Sequence, residues 1–266
     1  MRAQASATNP SNSRGCILLL FYFLADHNPR RVVVAIDGPA GAGKSTASRL
    51  VAAHLGFAMV DTGAIYRTVA LAASRAGVAY DDDGALAALL PGLAIRFAPP
   101  ARAGQAGDAQ RVLLGEEDVS AAIRTPPMSL GASAVSARPV VRAGLLDLQR
   151  RLALAPENRG AVLEGRDIGT VVFPDADAKL FLTASPEERA RRRHAELTAR
   201  GDATPYAEVL ADQLRRDRAD SERAIAPLRP ATDAVVVDSS GLSLDQVVDR
   251  LVALVEQRLQ RRGEAP

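Results

Sequence analysis

The residues best placed to do chemistry stand early in the chain, in Gly38-Pro39-Ala40-Gly41-Ala42-Gly43-Lys44-Ser45-Thr46. This run matches G-x-x-x-x-G-K-[ST] in full. Its glycines let the backbone wrap around phosphate oxygens and aim several N–H groups at them. The N-terminus of the helix that the loop opens adds partial positive charge to the same place. Lys44 is a compact charge on a flexible stem and can reach terminal phosphates. The Ser45 hydroxyl is placed to ligate Mg2+. Lysine is otherwise nearly absent, because Lys44 and Lys179 are the only lysines among 33 Lys and Arg residues. The chemistry implied is the handling of a nucleoside triphosphate.

A phosphate loop does not by itself name a reaction. Neither lysine follows an asparagine, so the Asn-Lys-x-Asp base-reading segment of GTPase switches is missing. A motor ATPase calls for a strand ending in paired acids, whereas Gly160–Glu164 (GAVLE) ends in one. Glu164 reads either as part of the water shell of Mg2+ or as an ordinary strand-end carboxylate. A phosphotransferase must fold positive charge around the transferred group and exclude water. Arg189, Arg192 and Arg193 fall at i, i+3 and i+4 and share a helix face. The helix-breaking Gly201-Asp-Ala-Thr-Pro205 follows them. This segment reads as a lid, or as a solvated charged helix partnered by Glu187 and Glu188. Arg216, Asp220 and Arg223 fall at i, i+4 and i+7. They form either a surface ladder worth ~0.3–0.5 kcal/mol per pair or a holder of ribose hydroxyls and phosphates.

Buried strands must carry these groups. Val32–Asp37 (VVVAID) is a continuous apolar run rich in β-branched residues, as for a strand covered on both faces. Thr46–Leu55 has helical spacing and stops at Gly56; Phe57–Val60 predicts a short strand and Ala64–Arg75 a helix. Ala161–Leu163, Lys179–Leu182 and Ala234–Val237 predict three more strands, and Leu244 to about Leu259 an amphipathic helix. Strands alternating with helices predict a three-layer α/β/α fold around a parallel sheet. Leu93–Ala98 and Gln110–Leu114 predict short antiparallel strands in a subdomain inserted near 90–125.

Composition bounds the rest. The chain has 266 residues, 47% hydrophobic and 24% charged, which excludes global disorder. A net charge of +2 gives no field for nucleic acid or an anionic membrane. The one cysteine, Cys16, excludes an intrachain disulfide and a Cys-based zinc cluster. Cys16–Ala25 is an apolar run of signal-core length with Arg2 and Arg14 before it, but Ala25 is followed by Asp-His-Asn-Pro, with no clear cleavage site. Residues 1–30 therefore read as a poorly ordered extension outside the fold.

Four segments carry a resemblance to a known family: IDGPAGAGKST (Ile36–Thr46), DTGAIYR (Asp61–Arg67), EGRDIGTVVFPDA (Glu164–Ala176) and RDRADSERAIAPL (Arg216–Leu228). The first is common to many kinases; the other three, in this order, are specific. From about Val32 to Leu259 the chain resembles the bacterial cytidylate kinases, which are nucleoside-monophosphate kinases. The resemblance implies ATP-dependent phosphorylation of CMP and dCMP, a phosphate group being the acceptor, with Mg2+. It implies a domain over residues 31–262, with a monophosphate-binding insertion about 62–155 that bears short antiparallel strands, and a helical lid about 186–205. By similarity, Gly38 to Thr46 hold the ATP phosphates, and Thr62 stands beside the cytosine or ribose end of the acceptor. Arg67 clamps the acceptor phosphate and Ser120 reads the cytosine edge. Arg166 binds phosphates, Asp167 positions the acceptor, Asp220 takes the ribose hydroxyls, Arg223 the acceptor phosphate, and Arg216 assists. Lys44, Arg166, Asp167 and the lid residues Arg189 and Arg192 form the catalytic group. The family often has Asp where this chain has Glu164, and the N-terminal extension is no part of the pattern.

The expected protein is a cytoplasmic monomer with small-molecule substrates and no nucleic-acid or membrane partner. One rival keeps the fold and changes the acceptor to UMP, AMP or shikimate. Another is a nucleotide sensor without chemistry, for which the arginine constellation has no use.

Overall fold

A computed structural model describes residues 31–99, 110–261 and 263. The chain divides into Met1–Arg31 and Val32–Pro266, and every element below belongs to the second unit. The extension at 1–30 and most of the turn between the first two inserted strands lie outside the described residues.

Five strands make the main sheet: β1 (Val32–Asp37), β2 (Ala58–Asp61), β6 (Gly160–Gly165), β7 (Ala178–Thr183) and β8 (Val235–Asp238). Their order is β2-β6-β1-β7-β8, and every pairing is parallel. All six β1 residues are buried, as their continuous apolar run predicts. Strand alternation divides the core between the two faces. Val33, Ala35, Ala161 and Leu163 pack to one side; Val32, Val34, Ile36, Val162, Leu180 and Leu182 pack to the other.

Helices cover both faces, giving the expected three layers. α1 (Lys44–Leu55) and α8 (Leu244–Arg261) share one cluster. α1 ends at Gly56 with φ of 65°, whose N–H closes on the Ala52 and Ala53 carbonyls. α2 (Thr62–Arg75), α4 (Pro126–Ser136) and α5 (Pro139–Ala153) share the other cluster. Asp61 caps α2 by accepting from Ala64 N at 2.8 Å. α3 (Asp83–Leu89) precedes a small antiparallel sheet of β3 (Ile95–Ala98), β4 (Arg111–Leu114) and β5 (Glu117–Asp118), where the inserted strands are expected. α6 (Pro186–Ala199) and α7 (Tyr206–Glu222) follow β7.

Parallel register aligns the carboxyl ends of the strands. Asp61 lies opposite Glu164, and Glu164 opposite Ile36, so Asp37, Asp61 and Glu164 share one edge. In open α/β sheets ligands bind outside this edge.

Candidate active site

Immediately beyond β1, Gly38 has φ of 150°, and a Cβ there would stand 1.9 Å from the Leu182 carbonyl oxygen. Only glycine lets the loop pass so close to β7. Gly41 and Gly43 follow with φ of 76° and 85°. Lys44 opens α1 and is 7% exposed, and its Nζ donates to the Pro39 carbonyl at 2.7 Å. Burial, then the nearby Arg166, push the Lys44 ammonium down to about 7, against the support of Glu164 and Asp37.

Glu164, 3% exposed, completes the first cluster. Burial, then the charge of Asp61, lift its carboxyl to about 7, while Lys44 and a hydrogen bond with Ser45 oppose the rise. Its Oε2 is buried without a hydrogen-bond partner among the described residues. An orphaned carboxylate oxygen beside a serine hydroxyl and a second acid is an oxygen-only donor set. Such a set suits Mg2+, which prefers few protein oxygens together with phosphate and water.

A second cluster hangs on Asp37. Its carboxylate accepts from Ile168 N and Gly169 N, both at 2.8 Å, and burial raises it to about 6. These bonds tie β1 to the single π-helical turn Ile168–Val172, which follows Arg166 and Asp167 directly. Arg166 Nε donates to Asp220 Oδ2 at 2.9 Å. Arg142 of α5 donates through Nη2 to Asp167, and its guanidinium lies 5.7 Å from the Tyr66 ring centre. Arg223 donates through Nε to the Ala226 carbonyl at 2.9 Å, and its Nη1 is 4.0 Å from Asp220. Its Nη2 is buried without a hydrogen-bond partner among the described residues, as is Arg67 Nε. Arg67 Nη2 donates to Asp61 Oδ2 at 2.9 Å, and the Thr62 hydroxyl to the Glu164 carbonyl at 2.7 Å. Burial, then Arg142, lower the Arg223 pKa; burial, then Arg193, lower that of Arg216. Positive charge is thus concentrated beyond what the carboxylates neutralise, with the Arg67 Nε and Arg223 Nη2 donors unpartnered among the described residues. The arrangement can hold polyanions.

Lys44, Ser45, Glu164, Arg166, Asp167, Asp220 and Arg223 come together as one constellation, and Thr62 and Arg67 join it through Glu164 and Asp61. Asp220 is no member of a surface ladder, since its closer ion-pair partner, Arg166, comes from the β6 end. Arg192 stands beside the loop, its Nη1 3.9 Å from where a Gly43 Cβ would be, and binds Glu188 and Ser239. Arg193 pairs with Glu196. Arg189, 3% exposed, is taken by Asp217 at 2.6 and 2.9 Å and by the Ala40 carbonyl at 3.1 Å. The Ser120 hydroxyl accepts from Val112 N at 2.8 Å within the inserted sheet.

Sequence reasoning missed Arg142, because an isolated arginine between the core residues Val141 and Leu145 belongs to no motif. It missed Arg124, which lies near Arg67 and, after burial, is lowered by it. It also missed Gln213, which is 5% exposed.

The family model described as "Cytidylate kinase" matches residues 34–257. A "Cytidylate kinase" of Geobacter sulfurreducens is 54% identical over 86% of this chain and 94% of its own length. One from Geobacter sp. strain M21 is 51% identical and one from Citrifermentans bemidjiense 50%, each over 86% of this chain and 94% of its own length.

Proposed function

The chain belongs to the cytidylate kinase family, and from that premise we propose how its cleft performs the reaction and which residues carry it. The reaction is phosphorylation of CMP by ATP, a phosphotransfer to a phosphate acceptor. The observation that carries the assignment of residues is the meeting, at one sheet edge, of the Lys44 loop with the Arg166–Asp167 and Asp220–Arg223 pairs.

Gly38 through Thr46 hold the ATP phosphates, with Lys44 turning from the Pro39 carbonyl to the terminal ones. Ser45 and Glu164 are the residues that would hold Mg2+, which when bound neutralises charge on the donor phosphates. Arg67, Arg142, Arg166 and Arg223 surround the acceptor phosphate. Thr62 and Asp220 take the sugar end, Arg216 supports them, and Ser120 faces the base. Asp167 holds Arg142 in place. An oxygen of the acceptor phosphate attacks the γ-phosphorus, and the bond to ADP breaks. That oxygen is already anionic near neutral pH, so the chain supplies position and charge, and no general base is needed. Arg192, beside Gly43, is the lid arginine assigned to the transferred group. Arg189, occupied by Asp217 and Ala40, is assigned to holding the loop.

The acceptor region is about 62–155 and the lid about 186–205. The protein works on CMP and dCMP as a cytoplasmic monomer, without a nucleic-acid or membrane partner. A net charge of only +2 gives no strong field for nucleic acid or an anionic membrane, and no helix among the described residues is long and apolar enough to cross a membrane.

The test is ADP release from ATP and Mg2+ with CMP, dCMP, UMP, AMP or shikimate. Strong stimulation by CMP and dCMP is expected. Faster turnover of another acceptor would overturn the assignment of the cytosine pocket. A single-chain mass by light scattering checks the monomer.

A further inference from the structure

Two side chains from the helices on either side of the Gly201 break close on one backbone carbonyl of the phosphate loop. Gln213 Nε2 of α7 donates to the Ala40 oxygen at 2.7 Å, and Arg189 Nη1 of α6 donates to the same oxygen at 3.1 Å. Asp217, one helical turn beyond Gln213, binds both donors: Arg189 at 2.6 and 2.9 Å, and Gln213 at 3.4 Å. Arg189 and Gln213 are 3% and 5% exposed. The guanidinium is further fixed by Nε, which donates to the Ala184 carbonyl at 2.9 Å.

The peptide they hold joins Ala40 to Gly41. In a trans peptide C=O and N–H point in opposite directions. Fixing the Ala40 oxygen against α6 and α7 therefore turns the Gly41 N–H away from those helices, toward the exposed side of the loop. Gly41 has φ of 76°, in the left-handed region. A glycine there moves freely among backbone states unless something outside the loop restrains it. A Cβ at Gly41 would meet Arg189 Cβ at 3.1 Å and Gln213 Oε1 at 3.5 Å, so the clamp also fits closely over a residue without a side chain.

We propose that Gln213, together with Arg189 and Asp217, is a positioning set that orients the Ala40–Gly41 peptide so that its N–H faces the donor phosphates. The inference rests on the reading that this loop holds ATP. It gives Gln213 a role in donor binding although Gln213 touches no substrate. It also makes the junction of α6 and α7 part of the phosphate site, because the clamp comes from helices on both sides of the Gly201 break.

The test measures ADP and adenosine affinity by calorimetry, and KM for CMP, in wild type and Gln213→Met. Methionine keeps length and volume and removes the donor. The expected result is ADP affinity lower by about three- to tenfold, with adenosine affinity and the KM for CMP within about twofold of wild type. A merely structural defect would move all three together, and that outcome, or unchanged ADP affinity, overturns the proposal. Should Gln213→Met fail to melt cooperatively, Asp217→Asn carries the test, with the same expected split and the same overturning results. Lys44→Ala separates the two levels of the argument. If Lys44→Ala leaves ADP affinity intact, the loop does not hold the donor and the underlying reading fails. If it weakens ADP while Gln213→Met and Asp217→Asn do not, only the clamp fails.

Discussion

Glu164 and Lys44 face each other in a place where neither charge is comfortable. Glu164 is lifted from 4.5 to about 7 and Lys44 lowered from 10.5 to about 7. A carboxyl raised on folding contributes stability that is complete below its ordinary value and is lost as pH climbs through the raised one. As pH rises Glu164 ionises beside Asp61, and the lowered Lys44 ammonium offers it less compensation than an ordinary lysine would. Glu164→Gln should therefore match wild type in Tm at pH 4, below the ordinary carboxyl value, in the ligand-free protein. At pH 8 it should exceed wild type by on the order of 1–3 kcal/mol, since burial at 3% exposure leaves little screening. A Tm difference that stays flat from pH 4 to 8 would refute the raised carboxyl. Arg142 allows a second test at this scale. It serves Asp167 with one nitrogen and covers Tyr66 with its plane. Lysine reproduces the charge but neither the fork nor the plane. Arg142→Lys should raise the KM for CMP by about tenfold and leave the KM for ATP within about twofold. Equal changes in both would remove Arg142 from the acceptor side.

The elements differ in how openly the sequence declares them. The strand at 32–37 and those beginning near 160 and 178 are fully or largely buried, so nearly every residue is apolar and the runs are legible. α8 shows its buried face at Val247, Leu251, Val252, Val255 and Leu259. α4 (PPMSLGASAVS) shows almost nothing, because only Met128, Gly131 and Val135 are buried and their fit depends on a partner far along the chain. Gly131 is the extreme case: a Cβ there would meet Tyr80 Oη at 2.8 Å and Ala70 Cβ at 2.9 Å. Gly131→Val should thus push α4 away from α2 and cost about 1–3 kcal/mol by overpacking, read as a lower Tm. A Tm within about 1 °C of wild type would mean that the helices separate freely. The same limit hid Arg142, which reaches the site through the placement of α5 and through no pattern in its neighbours. Strand order was also invisible: β6 inserts between β1 and β2, and only that insertion sets Glu164 between Asp37 and Asp61. Motif residues were legible because phosphate chemistry fixes their spacing locally. Residues supplied by tertiary packing were not.

At the scale of the whole molecule the net charge is only +2, so the positive field belongs to the cleft and not to the chain. Within it, after burial, Arg142 lowers Arg223, Arg193 lowers Arg216 and Arg67 lowers Arg124. Arginines assembled this closely strain the ligand-free fold, and the strain should disappear when a polyanion enters. Inorganic pyrophosphate carries the charge of a nucleotide without its base or sugar, so it isolates this effect. At ten times its dissociation constant, mass action alone gives about 1.4 kcal/mol. That is a rise of roughly 3–6 °C in Tm for a chain of this size. Chloride at the same ionic strength should give no such rise, because screening acts on the exposed pairs, which contribute little in either direction. Arg223→Met removes a guanidinium whose Nη2 has no hydrogen-bond partner among the described residues. It should shrink the pyrophosphate shift while leaving the protein at least as stable as wild type without ligand. An equal shift with chloride, or a full shift in Arg223→Met, would place the stabilising anion outside the cleft. It would also separate the arginine constellation from phosphate binding.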